Sequence, residues 1–576
     1  MGDIEVEFEE EQEENEIAQG KFGKIKQKYI LIVAGVISGL IIASVIVVAS
    51  TSSSPPTNTN EEGDPRTPPK QDSPFRESSK EKPNILLILA DDLGAGDIPF
   101  YFNSSLVAMP NLQKLADKGL RFTNAHATPL CAPSRYSLLS GNYPHRGEEK
   151  SGTWFFNDDH GNQFRGNQKS IAELLQQNGY HTSMFGKWHL GGSVPLVSPG
   201  KSNLTLIVTD DNHDWSQAFI QGPHEIGFDK SLVTAAGIQH PPYAFFRNGF
   251  LDSPREETVY WEAYSEHDMP FGTSIIGKDG GEGKNDWDST AYNMIIANET
   301  IAFIDKHLDE RPEDPFFVYA ALGAVHIPHS PPDYASDGTK IKGSYPSSHL
   351  DMVHEVDKIV GTLIDSIEER MLSRDTIIIF TSDNGGLGKS KKFGHDASGP
   401  LRGYKGQVYE GGTRVPMLVR WDGEFPAGEV IEGLVGINDL YATIADITKV
   451  SIPNESAEDS ISFKSYLELS TEEEIRKYLP TWKYTFSKPQ HSLRSKDYKL
   501  IHKPHDDTIE FYDLKNDIGE TMDLSDVMRH GDVMTEMYEE LVRLGPCARD
   551  ENGFVDIRYK SICNSQLNFH SATDFP

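Results

Sequence analysis

The sequence predicts an α/β protein with a large, mixed, mostly parallel sheet flanked by helices, followed by a smaller C-terminal α+β subdomain on an antiparallel sheet. Three observations carry this reading. Asn84–Ala90 (NILLILA) and residues 376–380 (TIIIF) are unbroken apolar runs that end at once in the acidic, glycine-rich loops DDLGAG and TSDNGG, as doubly buried parallel strands do. Residues 315–322 (PFFVYAAL) form a third such run. They are followed by a helical pattern with Leu350, Val353, Val356, Val360, Leu363, Ile364 and Ile367 on one face, giving a strand, helix, strand unit. Residues 478–502 and 509–512 instead alternate apolar with polar side chains, the pattern of antiparallel strands with one wet face.

Ahead of the sheet lie three segments of different character. Residues 1–28 hold nine acids between Asp3 and Glu16, then Lys21, Lys24, Lys26 and Lys28, and read as a solvated tail. Residues 29–49 (YILIVAGVISGLIIASVIVVA) carry no charge. At ~1.5 Å per residue such a stretch crosses a ~30 Å hydrocarbon core. The four lysines before it place the N-terminus in the cytoplasm by the positive-inside rule. The chain is therefore predicted to be a single-pass type II membrane protein with a signal anchor, its body outside the cell or in the secretory or endolysosomal lumen. A cleaved signal peptide is the alternative, although such h-regions usually run only about 7 to 15 residues. Residues 50–82, rich in Ser, Pro, Thr and charge, cannot bury a core and read as a disordered stem. Asn-x-Ser/Thr triplets at Asn103, Asn203, Asn298 and Asn454 all fall on the side predicted to be lumenal.

Composition narrows the function. With 87 acidic against 54 basic residues, a net charge of −33 argues against nucleic-acid binding, which needs basic surface to replace counterions. Three cysteines cannot form a disulfide framework, and the odd number leaves one thiol to explain. The body divides into residues 83–445 and 446–576. If its apolar strands are parallel, Asp91 with Asp92 and Asp383 with Asn384 arrive at one sheet edge, where open α/β sheets bind ligands. A lone Asp at a strand end is more often a cap or turn residue. Four hard oxygen donors at two matching ends suit Ca²⁺, with Mg²⁺ the other choice, and do not suit a thiolate or imidazole zinc site.

Residues 129–146 (PLCAPSRYSLLSGNYPHR) place Cys131 two residues before Pro133 and four before Arg135, at the start of a short helix closed by Gly141. An isolated buried cysteine is usually a small apolar core residue. Here the Cys-x-Pro-x-Arg run followed by Leu-Leu-Ser-Gly resembles the type I sulfatase family, in which this cysteine is converted to formylglycine. The Asp-Asp after the first strand, GKWHLG at 186–191, TSDNG at 381–385 and LRGYKGQVYEGGTRVP at 401–416 match in the family's order, so the resemblance spans residues 83–420.

The resemblance implies an alkaline-phosphatase-like fold and hydrolysis of sulfate monoesters on sulfated small molecules or glycans. It implies a formylglycine-generating enzyme as maturation partner and a cation held by Asp91, Asp92, Asp383, Asn384 and the modified Cys131. Hydrated formylglycine would be the nucleophile, held by Arg135, with Lys187 and Lys405 on the sulfate. His189 would deprotonate the second geminal hydroxyl to expel sulfate. For the acid that protonates the leaving alcohol, residues 324–331 (AVHIPHSP) offer His326 and His329. His326 fits the register of the arylsulfatase B type of pattern, and His329 stays open. His181, His349, His354 and His395 match no motif, although His395 lies near the Asp383 loop.

Residues 510–525 (EFYDLKNDIGETMDLS) resemble the C-terminal subdomain of sulfatases, and Cys547 and Cys563 are a candidate disulfide pair in the predicted lumenal tail. Two rival functions remain at this point: a phosphate or phosphonate ester hydrolase of the same superfamily, and a silent ectodomain that binds sulfated glycans. Against silence, every catalytic position that can be matched carries the reactive residue type. Residues 154–167 and 192–257, the loops expected to select a substrate, carry no readable code, and the excess acid favours short or lightly sulfated substrates.

Overall fold

The computed structural model describes residues 82–148, 162–195, 214, 216–252, 257–263, 278–483, 489–506, 508–528 and 531–545. The predicted tail and span, the stem up to residue 81, Asn203, Cys547 and Cys563 lie outside them. Among the described residues no helix is long and apolar enough to cross a membrane.

In chain order the strands are β1 (Asn84–Ala90), β2 (Leu120–His126), β3 (His181–Lys187), β4 (Lys230–Thr234), β5 (Phe246–Arg247), β6 (Phe250–Leu251), β7 (Thr258–Trp261), β8 (Gly281–Lys284), β9 (Phe316–Ala321), β10 (Thr376–Ser382), β11 (Arg414–Arg420), β12 (Glu429–Ile431) and β13 (Val435–Gly436). The main sheet runs β12-β2-β11-β10-β1-β9-β3-β4-β5-β6, with β13 also on β2, while β7 and β8 form a separate hairpin. Its centre is parallel: β1 pairs with β10 from Asn84↔Thr376 to Ala90↔Ser382, and with β9 from Ile85↔Phe317 to Leu89↔Ala321. Strand β11 is antiparallel to both β10 and β2. The mixed, mostly parallel sheet predicted from the apolar runs is thus present. The pairing of β1 with β10 brings both acid pairs to one edge.

The helices are α1 (Pro110–Lys118), α2 (Cys131–Ser140), α3 (Ile171–Gln176), α4 (Tyr292–Glu310), α5 (Ser348–Glu369), α6 (Glu410–Thr413) and α7 (Asp439–Ile447). Strand side chains alternate between two cores. Ile85, Leu87, Leu89, Ile377 and Ile379 face Leu138 and Leu139 of α2, Ile171 of α3 and Leu440 of α7. Leu86, Ile88, Ile378 and Phe380 face Leu112 of α1, Ile296 of α4 and Leu350 and Val360 of α5. Burial on both faces is why β1 shows no polar alternation, each Leu or Ile contributing about 1.5–3 kcal/mol. Helix α5 begins where the Ser347 hydroxyl accepts the Leu350 N–H, and the apolar face read from the sequence is its buried face. Helix α2 ends at Gly141, whose φ of 68° is the left-handed cap conformation that glycine tolerates.

The boundary expected at 445/446 falls inside α7, and Phe463, Tyr466 and Leu467 still belong to the main core. The second unit's own sheet begins at Leu479. Its antiparallel strands β14 (Leu479–Lys483), β15 (Gln490–Arg494), β16 (Tyr498–Lys503) and β17 (Thr508–Asp513) are the alternating segments seen in the sequence. A C-terminal helix over Asp532–Leu544 packs Met534, Met537 and Leu541 against Leu493, Leu500 and Phe511.

Glu410 joins the two units. Its fully buried carboxylate accepts from Arg494 Nε at 3.0 Å and Lys499 Nζ at 3.2 Å in the C-terminal sheet, and from Arg414 Nε at 2.9 Å in β11. Burial alone would raise its pKa, but Arg494, Lys499 and Arg414 outweigh burial and hold it well below the usual carboxylate range. Removing one member of such a buried cluster strands the others, so Glu410→Ala should cost about 3–5 kcal/mol in denaturant unfolding. Because the folded pKa is depressed, this stabilisation is present at neutral pH. It is lost as acid carries the protein through that pKa.

Candidate active site

Most groups of the site stand at the C-terminal end of a parallel strand or on the helix that follows one, while Lys405 comes from the loop before α6. Asp91 and Asp92 leave β1, Asp383 and Asn384 leave β10, Lys187 closes β3, and Cys131 opens α2 beyond β2. Direct bonds cross-link the two strand ends. The Asp92 N–H donates to Asp383 Oδ1 at 3.1 Å, and Asn384 Nδ2 donates to Asp92 Oδ1 at 2.9 Å.

Cations surround these carboxylates. Lys187 Nζ donates to Asp91 Oδ2 at 2.7 Å, and Lys405 Nζ donates to Asp92 Oδ2 at 2.8 Å. Arg135, fully buried, donates from Nη2 to Asp383 Oδ2 at 2.7 Å and from Nη1 to the Lys187 carbonyl at 3.1 Å. Its guanidinium therefore spans β10 and β3 as well as standing one helical turn from Cys131. Residue 131 is the cysteine here, so its Sγ stands in for the oxygens that formylglycine would carry. Sγ lies 3.8 Å from Asp92 Oδ1.

The two histidines of the AVHIPHSP run part company. His326 Nδ1 lies 2.7 Å from the Ile327 carbonyl and must carry the proton there, which turns Nε2 toward Asp92 Oδ2 at 3.7 Å. His326 groups with Asp91, Asp92 and Cys131, ligand atoms all within 4.8 Å of one another. His329 packs instead on the His349 ring, centroids 5.2 Å apart. His189 is buried beside Lys187, Arg135 and His240. His395 reaches away from the reacting groups to Asp97 Oδ1 at 2.7 Å, and His349 approaches the same oxygen at 3.2 Å. Asp97 escaped the sequence reading. Its other oxygen accepts the Gly94 N–H at 2.8 Å and so shapes the loop that presents Asp91 and Asp92. Its signal was the third acid of the DDLGAGD run.

The electrostatics bear on what the site can hold. Burial would raise Asp91, but Lys187, then His326 and Arg135, hold it well below the ordinary range. Burial would raise Asp92 too, but Lys405, His326 and Lys187 together outweigh it and lower its pKa. Asp383 is pushed up to about 7 by burial and then by the neighbouring Asp91 charge. Asp91 Oδ1 and Asn384 Oδ1 are buried with no hydrogen-bond partner among the described residues. Each such acceptor costs about 1–3 kcal/mol. Crowded carboxylates, an acid driven toward protonation and two orphaned oxygens together fit a hard divalent cation. Cys131 is pushed far above the thiol range by burial, more than Lys187 and Lys405 can offset, so as a thiol it is no nucleophile at neutral pH.

Comparison with known proteins places this arrangement. The sulfatase family model matches residues 83–450, well over half of the chain, and a model of the C-terminal region of N-sulphoglucosamine sulphohydrolases matches residues 404–546. The chain belongs to the sulfatase family. Among relatives of this sulfatase, the N-acetylgalactosamine-6-O-sulfatase of Bacteroides thetaiotaomicron is 28% identical over 520 residues, covering 80% of this chain and 93% of that protein. The steryl-sulfatase of Rattus norvegicus is 30% identical over 410 residues, 66% of this chain and 69% of its own length. A solved Bacteroides thetaiotaomicron structure, described with the metabolism of multiple glycosaminoglycans, has a TM-score of 0.66 and 26% identity, covering 80% of this chain and 99% of its own. The sulfatase is a sulfuric ester hydrolase, and Asp91, Asp92, Asp383, Lys187 and Cys131 stand together at one edge of its sheet.

Proposed function

We propose that this sulfatase cleaves sulfate monoesters of sulfated sugars through formylglycine made from Cys131 by a formylglycine-generating enzyme. The observation that carries the reading is the convergence of Cys131, His326, Asp91 and Asp92 within one buried group, with Lys187 and Lys405 on the two carboxylates. The sugar class rests on the relatives named for N-acetylgalactosamine 6-sulfate.

Residue 131, oxidised and hydrated, supplies one hydroxyl to attack sulfur and a second to expel sulfate afterwards. Arg135 orients those hydroxyls from one helical turn away. Lys187 and Lys405 bind the sulfate oxygens as compact point charges. His189 takes the proton of the second hydroxyl, and His326 Nε2 gives one to the leaving alcohol. An ester's negative charge beside His326 opposes burial and the two lysines, which hold this histidine at about 3 when no anion is bound. Asp91, Asp92, Asp383, Asn384 and the modified residue 131 would hold Ca²⁺ or Mg²⁺, which when bound supplies Lewis-acid polarisation and a template for the anion.

The body is read as lumenal or extracellular, tethered by residues 29–49 as a type II anchor. The lysines before that segment support this topology, as do the exposed asparagines of three sequons, Asn103, Asn298 and Asn454. Sulfate release by the full chain from 4-nitrophenyl sulfate and from 6-O-sulfated N-acetylgalactosamine tests the function. Chelation with EGTA should remove this activity, and Ca²⁺ should restore it. The melting temperature should also rise with Ca²⁺, since a ligand at 100 times its Kd stabilises the fold by about 2.7 kcal/mol. A melting curve indifferent to Ca²⁺, Mg²⁺ and chelator would remove the cation from the proposal.

A further inference from the structure

The segment that follows β4 brings a second set of polar groups up to the reacting centre. Gly237 marks the junction: a Cβ there would lie 2.7 Å from Gln239 Oε1 and 3.0 Å from Lys187 Cδ. The Gln239 carbonyl accepts the Asp279 N–H at 3.1 Å and the Tyr243 hydroxyl at 2.9 Å, clamping the pair 278–279 onto the pair 239–240. His240 then bonds the Asp279 carboxylate.

Among the described residues, no carboxylate pairs with Lys278. Asp279, the nearest acid in sequence, is turned to His240. Lys278 is only 6% exposed, and its ammonium sits 4.1 Å from the Tyr243 ring centroid and 4.3 Å from that of Trp261. It has no carboxylate and no hydrogen-bond acceptor among the described residues. Two aromatic faces attract a cation but offer its N–H donors no lone pairs, so water's hydrogen bonds are only partly replaced. Burial accordingly lowers its pKa to about 8, and at neutral pH it remains mostly charged.

We propose that Lys278 is a specificity-determining residue that binds a second anionic group of the substrate, a sulfate or a carboxylate on the leaving-group sugar or its neighbour, while the scissile sulfate lies on Lys187 and Lys405. The inference rests on the sulfated-sugar reading above. It also accommodates the chain's net charge of −33: one additional substrate-binding cation selects a short substrate with two anions rather than a densely sulfated polymer.

The test uses the full chain purified in detergent, as wild type, Lys278→Met and Lys278→Arg. The quantity read is the ratio of kcat/KM between a two-anion and a one-anion substrate. The sugars are 6-O-sulfated N-acetylgalactosamine, its 4,6-disulfated form and its disaccharide with a uronic acid. Wild type should prefer one of the two-anion sugars by roughly tenfold or more, carried in KM, with the sulfated and carboxylated arms telling which anion is read. Lys278→Met should erase that ratio and Lys278→Arg should keep part of it. An unchanged ratio in Lys278→Met, or no preference in wild type, overturns the proposal. Cleavage of aryl sulfates without any of these sugars would overturn the sugar reading alone. The same ratio, taken between a carboxylated aryl sulfate and 4-nitrophenyl sulfate, would then decide for or against Lys278.

Discussion

Cys131→Ala should reduce sulfate release from every substrate by about 10⁴-fold or more, the scale expected when a nucleophile is removed from a group that acts as a unit. The protein should still fold, because Cys131 is a small side chain whose one hydrogen bond among the described residues is the long 3.8 Å contact with Asp92. Cys131→Ser separates the two halves of the proposed chemistry. A serine hydroxyl can attack sulfur but has no second hydroxyl to expel it. One equivalent of alcohol should be released, sulfate should stay on that side chain, and turnover should stop. Continued turnover by Cys131→Ser would mean that water attacks sulfur directly and that the second hydroxyl is not needed.

His326→Ala carries the next largest expected effect, a loss of about 10²–10⁴ in kcat on sugar sulfates, whose alkoxide leaving groups need a proton. On 4-nitrophenyl sulfate, which expels a far weaker base, the loss should be much smaller. That difference between substrates is the signature of a general acid, and a purely structural histidine would lower both rates together. His329→Ala should show no such split. Its ring packs on His349 rather than joining Cys131, Asp91 and Asp92. A leaving-group split in His329→Ala, absent from His326→Ala, would exchange the two roles.

The sequence disclosed the site more fully than the boundaries around it, for physical reasons. An apolar run such as NILLILA is constrained on both faces, so strand β1 and the acids at its tip could be located from pattern alone. The parallel pairing with β10 then followed from the matching acid pair. The subdomain boundary did not follow, because Phe463, Tyr466 and Leu467 return to the main core after α7 without any change in composition to mark it. Glu410 sits within a legible motif, yet its partners Arg494 and Lys499 come from strands some eighty residues away and have no pattern that names them. The contacts of Gln239 and His240 with Asp279 were equally hidden. They join residues about forty positions apart, and the intervening strands β5 and β6 have only two residues each, too few to show a period. Arg135 was legible as a neighbour of Cys131. Its second role, bonding Asp383 and the Lys187 carbonyl, appears only once β10 and β3 are brought together.

The central claim is that residue 131 works as an aldehyde and not as a thiol. Mass spectrometry of the tryptic peptide containing it, from full-length protein made in a host with the maturation enzyme, tests this most directly. The account requires that peptide to be about 18 Da lighter than the cysteine form, the difference between CH₂SH and CHO. A peptide with unmodified cysteine throughout, from protein that releases sulfate at full rate, would contradict it.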